Sequence, residues 1–150
     1  MAKVKKTKSG RIAIVVSDFN KEVTSGLLNG AVSTLLGKGY EEKDLKIVHC
    51  PGAFEIPLTA KALCSSGKFC GIICLGAVIK GETAHFEYIS FAVTSGIMQL
   101  NMEFGIPVSF GVLTAYDDRQ AEVRSSSGEG NKGSEAAMAC LEMIDLLKTV

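Results

Sequence analysis

The chain has 150 residues, 47% of them hydrophobic, and carries 16 basic and 16 acidic side chains. This length suits one ordinary domain, and the balanced charge excludes an overall field that would attract nucleic acid or a membrane surface. No apolar run approaches the ~20 residues of a membrane span, and the five cysteines form no CxxC pair, so we expect a soluble, cytoplasmic protein with buried thiols and no zinc site.

The first half of the chain predicts a tail, two strands and one helix. Residues 1–11 are basic, without the apolar stretch of a secretory signal, and are predicted to form a flexible tail before a single domain at 12–150. A β-branched run ending at Ser17 is predicted as the first strand, and apolar residues at helical spacing follow it, with Asn20 as the helix cap. The second strand is predicted at 45–50.

The second half continues the alternation. A helix over about 55–63 precedes a continuously apolar third strand at 71–79, which is typical of a parallel strand covered on both faces. The long helix after it has two stripes: Ile89, Val93, Ile97, Leu100 and Phe104 form the first, and Phe91, Thr94, Met98 and Met102 the second. The sheet can cover only one of them. The remaining predicted elements are a strand at 107–115, a short helix at 117–124, a flexible loop and a helix at 134–148.

This alternation predicts a flavodoxin-like, three-layer α/β/α sandwich around a four-stranded parallel sheet. In such folds, ligands bind beyond the carboxyl ends of the strands. All four predicted strand ends carry polar or aromatic residues, in the segments SDFN (17–20), CPGAFEIP (50–57), GAVIKGETAHF (76–86) and FGVLTAYD (110–117). We therefore expect these segments to surround one binding crevice.

The third strand end predicts phosphate chemistry. Residues 81–83 are predicted to open the third helix, whose free N–H groups and dipole favour an anion. His85 would lie next to that anion with an imidazole that exchanges protons near neutral pH. Arg124 and Lys132 follow the fourth strand and are expected to add positive charge to the same rim. The pattern indicates a small phosphorylated ligand.

Structural readings of the same residues remain open. His85 can also be an ordinary surface histidine, and Phe19 and Phe110 can be core aromatics. Glu55 can simply interact with the dipole of its own helix. His49 is interpreted as structural. A P-loop and a GxSxG elbow are missing, which excludes the simplest nucleotide hydrolase and serine hydrolase classes. A phosphotransfer receiver is excluded because its acceptor aspartate is missing from the third strand end.

Five motifs, in order, resemble those of the lumazine synthase family over about residues 12–147. They are PGAFEIP (51–57), GAVIKGETAHFEY (76–88), FGVLT (110–114), QAEVR (120–124) and GNKGSEAA (130–137). The resemblance implies a transferase that condenses 5-amino-6-(D-ribitylamino)uracil with 3,4-dihydroxy-2-butanone 4-phosphate to 6,7-dimethyl-8-ribityllumazine, the penultimate step of riboflavin biosynthesis. It implies no metal and no redox cofactor.

The resemblance also implies a role for each site residue. His85 corresponds to the proton donor, Phe19 to the aromatic that stacks on the pyrimidine, and Phe110 to a second aromatic wall. Ala53, Phe54 and Glu55 correspond to contacts with the ribityl side, and Ala77, Val78 and Ile79 to a backbone lining of the pocket. Glu82 and Thr83, assisted by Arg124, correspond to the phosphate site.

Members of the family assemble as homopentamers, some of which build icosahedral shells, with each active site between adjacent subunits. Such an assembly would cover the second helix stripe, and Phe110 and Arg124 would reach a neighbour's pocket. The chain departs from the family pattern at Asp18, Lys80 and Ala115, which concerns affinity more than reaction type. The alternatives are a non-catalytic, shell-forming relative that binds a ribityl-pyrimidine or a flavin, and a related riboflavin synthase, against which the HFEY segment argues.

Overall fold

The computed structural model describes residues 10–150, in which strands and helices alternate. The elements are β1 (Ile12–Ser17), α1 (Lys21–Gly37), β2 (Leu45–Cys50), α2 (Ile56–Ser65), β3 (Gly71–Ile79), α3 (His85–Phe104), β4 (Val108–Ala115), α4 (Asp118–Ser125) and α5 (Lys132–Leu147). Residues 1–9, most of the predicted tail, lie outside the described part. Of the rest of that tail, the Arg11 carbonyl accepts a hydrogen bond from the Cys70 N–H at 2.9 Å.

The four strands form one parallel sheet in the order β2-β1-β3-β4. The β-branched and apolar runs make the central strands, and eight of the nine residues of β3 are buried. Register pairs Ile12 with both Leu45 and Gly71, and Ile72 with Val108. The predicted three-layer α/β/α fold is confirmed, and the two outer strands are β2 and β4.

Two hydrophobic cores lie on opposite faces of this sheet because side chains alternate along each strand. Ile12, Ile14 and Val16 of β1 pack with α1 and α5, while Ala13 and Val15 pack with α2 and α3. The chain thus places α2 and α3 on one face and returns to the α1 face with α4 and α5. In the described residues no helix combines the length and the apolar character needed to cross a membrane.

The third and fifth helices begin elsewhere than predicted. Helix α3 begins at His85, so residues 81–83 precede it and do not open it. The Thr83 hydroxyl accepts a hydrogen bond from the His85 N–H at 3.4 Å, which is the local competition with helix formation that Thr commonly offers. Helix α5 begins at Lys132, two residues early, because the Asn131 side chain caps it by accepting from the Ser134 N–H at 3.0 Å.

The two stripes of α3 differ in burial within one chain, as predicted. Val93, Ile97 and Leu100 of the first stripe are buried, and its two end residues are partly buried. In the second stripe the exposed fractions are 76% for Phe91, 61% for Met98 and 80% for Met102. The sheet therefore covers the first stripe and leaves the second without cover.

Candidate active site

The first pocket lies at the carboxyl ends of β1 and β3, where the direction of the chain across the sheet reverses. This is the position at which open α/β sheets bind ligands. It has a volume of about 390 Å³. Its lining residues are Phe19, Asn20, Gly52, Ala53, Phe54, Glu55, Ala77, Val78, Ile79, His85 and Ile89. Eight of the predicted site residues thus come together here.

Backbone hydrogen bonds beyond the end of β1 place Phe19 in this pocket. The Asp18 N–H donates to the Cys50 carbonyl at 2.8 Å, and the Phe19 N–H donates to the Pro51 carbonyl at 3.0 Å. The pairing of β1 with β2 is thereby extended by two residues. The Phe19 ring, 69% exposed, is held at the pocket and outside the core, which is the geometry a stacking platform needs.

Asn20 serves the pocket in a way the sequence did not indicate. It is the N-cap residue of α1, as predicted, with φ 61°, but its side chain makes no capping hydrogen bond. Its Nδ2 donates instead to the Ala77 carbonyl at 3.1 Å. Asn is among the few residues other than Gly that adopt this left-handed conformation readily. Asn20 therefore links the ends of β1 and β3 across the pocket.

The opposite wall is a short 3-10 turn, Ala53–Glu55, that leads into α2. The Glu55 N–H donates to the Gly52 carbonyl at 3.2 Å, and the Thr59 hydroxyl donates to the Glu55 carbonyl at 2.9 Å. These bonds fix the backbone of the turn, while the Phe54 side chain stays 60% exposed. The turn thus adds one aromatic residue and one acidic residue to the pocket that Phe19 lines.

His85 is the first residue of α3 and lines the same pocket. The residues before it, Glu82 and Thr83, are exposed and do not line the pocket. Along the chain, these two residues lie between Ile79 and His85, both of which line the pocket. The imidazole is exposed to solvent, so a ligand that fills the pocket can exchange protons with it.

The remaining predicted residues line a second pocket, which shares no lining residue with the first. This pocket, also about 390 Å³, follows β4 at the edge of the sheet and includes Phe110, Arg124 and Lys132. The prediction of a single crevice at all four strand ends is therefore wrong for one chain. The reason is the chain path, since α4 and α5 pack on the face opposite α3.

Positive charge dominates the second pocket. Arg124 Nη1 donates to the Gln120 carbonyl at 3.1 Å, which holds the guanidinium against its own helix. Lys132 was predicted in a loop, but it is the first residue of α5, and its Nζ lies 2.8 Å from Glu135 Oε2. The lining thus holds two cations and one carboxylate.

Asn131 fixes the two helix ends beside this second pocket, a role that was not predicted from the sequence. It is 2% exposed, and its Nδ2 donates to the carbonyls of Gly26, Ser125 and Ser126 at 3.1, 3.0 and 3.0 Å. These bonds fasten the end of α4 and the start of α5 to α1. Its position before a helix pattern signals a cap, but nothing in the sequence indicates contact with Gly26, 105 residues away.

Asp18, one of the departures from the family pattern, has a partner in the chain. His49 Nδ1 lies 2.8 Å from Asp18 Oδ1, with both side chains about half exposed. The carboxylate is thus engaged by an imidazole from β2. His49, interpreted as structural from the sequence, joins β2 to the residue that precedes Phe19.

The cysteines offer no nucleophile to either pocket. Burial, and next the charge of Glu55, raises the pKa of Cys50 to about 11, and burial raises that of Cys140 to about 12. Burial raises the pKa of Cys74 as well. These groups are neutral thiols at physiological pH. Among the described residues, no three His, Cys, Asp or Glu side chains are grouped in a way that would hold a metal ion.

Sequence comparisons cover the part of the chain that holds all five motifs. The family profile described as 6,7-dimethyl-8-ribityllumazine synthase matches residues 9–148. The chain is also similar to a protein from Caulobacter vibrioides named 6,7-dimethyl-8-ribityllumazine synthase 1. The two sequences are 51% identical over 140 residues, which cover 93% of this chain and 92% of the relative.

Proposed function

The chain belongs to the 6,7-dimethyl-8-ribityllumazine synthase family, and we propose that its two pockets are the two halves of one active site, completed between adjacent subunits. The chain is a transferase of riboflavin biosynthesis. Its reaction joins 5-amino-6-(D-ribitylamino)uracil to 3,4-dihydroxy-2-butanone 4-phosphate and releases phosphate and water. The proposal concerns where each substrate binds and which residues act on it.

The observation that carries the proposal is the separation of complementary groups. The first pocket has an aromatic platform, a carboxylate and an imidazole, but no Lys or Arg in its lining. The second has Arg124 and Lys132 but no histidine. A reaction that both binds a phosphate and moves protons needs the two sets together. Two copies placed so that these pockets face each other would supply both.

The pyrimidine is assigned to the first pocket. The Phe19 ring stacks on it, and Glu55, in the turn that presents Phe54, accepts hydrogen bonds from ribityl hydroxyl groups. The backbone of 77–79, at the end of β3, lines the ring's edge. The Asp18–His49 pair lies next to this platform, so the reversed charge at position 18 is compatible with ligand binding.

The phosphorylated ketone is assigned to the junction of the two halves. Glu82 and Thr83 of one subunit are exposed and precede the first turn of α3, whose free N–H groups and dipole favour an anion nearby. Arg124 and Lys132 of the neighbour bring the cations, and Phe110 of the neighbour forms the second aromatic wall. The phosphate would displace Glu135 from Lys132 or share the amine with it.

The chemistry needs proton transfer and proximity more than a nucleophilic side chain. The substrate amine attacks the ketone to give a carbinolamine, a first water leaves to give an imine, and phosphate is then eliminated. The second amine adds to the remaining carbonyl carbon, and loss of a second water closes the ring. His85 supplies and removes protons in these steps, a role that typically contributes 10²–10⁴-fold. Holding both substrates in one pocket lowers the entropic barrier to their encounter.

Assembly into a homopentamer is proposed from the face that the sheet leaves uncovered. Phe91, Met98 and Met102 of α3 are exposed, and Leu58 of α2, which packs in the same core as α3, is 76% exposed. Soluble monomers rarely expose a contiguous apolar face of this kind. A head-to-tail ring would join the first pocket of one subunit to the second pocket of the next.

Single substitutions test the assigned roles. We expect His85→Ala to lower kcat by about 10²–10⁴-fold and to leave both KM values within a few-fold, because it removes proton transfer only. Arg124→Ala should raise the KM for the phosphorylated substrate and leave the KM for the pyrimidine unchanged. Lumazine fluorescence and phosphate release, recorded together, measure both. Unchanged turnover in His85→Ala would refute its role.

A further inference from the structure

The segment that carries the proposed phosphate ligands, residues 81–84, is held by few contacts of its own. All four residues and His85 are exposed. Its hydrogen bonds are the long one from the His85 N–H to Thr83 Oγ1, at 3.4 Å, and two that the Ala84 carbonyl accepts from the Glu87 and Tyr88 N–H groups, at 3.2 and 3.3 Å, in the first turn of α3. The position of the segment therefore depends on what fixes its two ends.

Both ends meet the ring of Tyr116, the residue that follows β4. At the first end, the Lys80 N–H donates to the Ala115 carbonyl at 2.9 Å, and Lys80 Nζ lies 5.6 Å from the centroid of the Tyr116 ring. At the second end, the centroid of the Phe86 ring lies 6.1 Å from that of Tyr116, with the planes tilted by 42°. These are the distances of a cation–π contact and an aromatic pair.

The backbone of Tyr116 is fixed from the other side by α4. Its N–H donates to Gln120 Oε1 at 2.9 Å, and the Gln120 N–H donates to Asp117 Oδ1 at 2.7 Å. The Gln120 carbonyl accepts from Arg124 Nη1 at 3.1 Å. The tyrosine thus connects the segment before His85 to the helix that holds the proposed phosphate-binding arginine.

We propose that Tyr116 is a positioning residue for the phosphorylated substrate, because its ring sets the path of residues 81–85. This inference rests on the proposed function of the two pockets. The ring is 67% exposed and belongs to neither hydrophobic core, so its removal leaves the packing of the sheet intact. Its loss would free the 81–85 segment and spare the wall formed by Phe19 and Glu55.

The test compares Tyr116→Ala with Tyr116→Phe, which keeps the ring. For Tyr116→Ala we expect a KM for the phosphorylated substrate about five- to tenfold higher, the lower part of the range expected from one aromatic pair and one exposed cation–π contact together. The KM for the pyrimidine should stay within twofold. Inhibition by inorganic phosphate, a readout independent of turnover, should weaken by the same factor. Tyr116→Phe should restore all three values.

Two lysine variants with the same change in charge test the role of the Lys80 amine. Lys80→Met removes the amine at the carboxyl end of β3, and Lys68→Met removes an exposed amine before the amino end of the same strand. Only Lys80→Met should raise the KM for the phosphorylated substrate, by less than Tyr116→Ala does. An equal effect of both would indicate a general loss of charge and overturn the assignment of Lys80 to the ring.

The outcomes separate the inference from the function on which it rests. If the unaltered protein forms no lumazine, the proposed function fails and the inference fails with it. If the unaltered protein is active and Tyr116→Ala leaves both the KM and phosphate inhibition unchanged, the inference alone is wrong. It is also wrong if kcat falls while neither KM nor phosphate inhibition changes, since that result places the effect on His85 or on the amount of folded enzyme and not on the phosphate site.

Discussion

Replacement of Asn131 by alanine should destabilise the protein more than any change at an exposed residue of the same loop. The side chain is 2% exposed and satisfies three carbonyls and one N–H. Loss of a helix cap costs about 1 kcal/mol, and buried polar groups left without partners cost about 1–3 kcal/mol more. We therefore expect the free energy of unfolding to fall by about 2–4 kcal/mol.

Asn29 offers a matched control, because it is an exposed asparagine on α1 beside the same contact. Asn29→Ala should change the free energy of unfolding by less than about 0.5 kcal/mol. Denaturant unfolding followed by circular dichroism measures both variants, at one protein concentration because association adds to apparent stability. A loss below about 0.5 kcal/mol in Asn131→Ala would refute the reasoning. It would mean that the polar groups around Asn131 find other partners at no cost.

Two further predictions concern a buried thiol and the exposed face of α3. Burial raises the pKa of Cys140 from 9.0 to about 12, so iodoacetamide at pH 8 should label it at least about 100-fold faster in denaturant than in the folded protein. Because the folded-state pKa is raised, the contribution of Cys140 to the free energy of unfolding is fully present below pH 9 and is lost as the pH rises toward 12. A free energy of unfolding that increased over that pH range would contradict this prediction. Met98→Glu should place a charge in the proposed interface, so sedimentation should show smaller species and activity should fall below about a tenth. A fully active monomer would refute the shared site.

The strands were predictable because their sequence signal is local. The apolar and β-branched runs at Ile12–Ser17 and Gly71–Ile79 show the strand boundaries directly, and Phe19, Glu55 and His85 lie in the segments that follow the predicted strands. The first pocket could therefore be assembled from the sequence, because the carboxyl ends of parallel strands lie at one edge.

The second pocket could not be placed in this way, because its position depends on which face of the sheet α4 and α5 return to. Arg124 and Lys132 follow β4 along the chain, but their helices pack against α1, across the sheet from α3. The start of α5 depends on Asn131, whose partners include Gly26 on α1. The Asp18–His49 pair likewise joins residues 31 positions apart. No local pattern contains such partners.

The most direct test of a shared active site is complementation between two defective chains. His85→Ala damages the first pocket and Arg124→Ala the second, and each chain alone should show little activity at low concentrations of the phosphorylated substrate. In mixed rings formed by co-expression, a site is intact when an Arg124→Ala subunit supplies the first pocket and a His85→Ala subunit supplies the second. With random neighbours this holds for about a quarter of the sites. Activity rising toward that fraction, in rings shown by native mass spectrometry to be mixed, is the result we predict. Activity no higher than the average of the two variants would contradict it and place both residues in one chain's site.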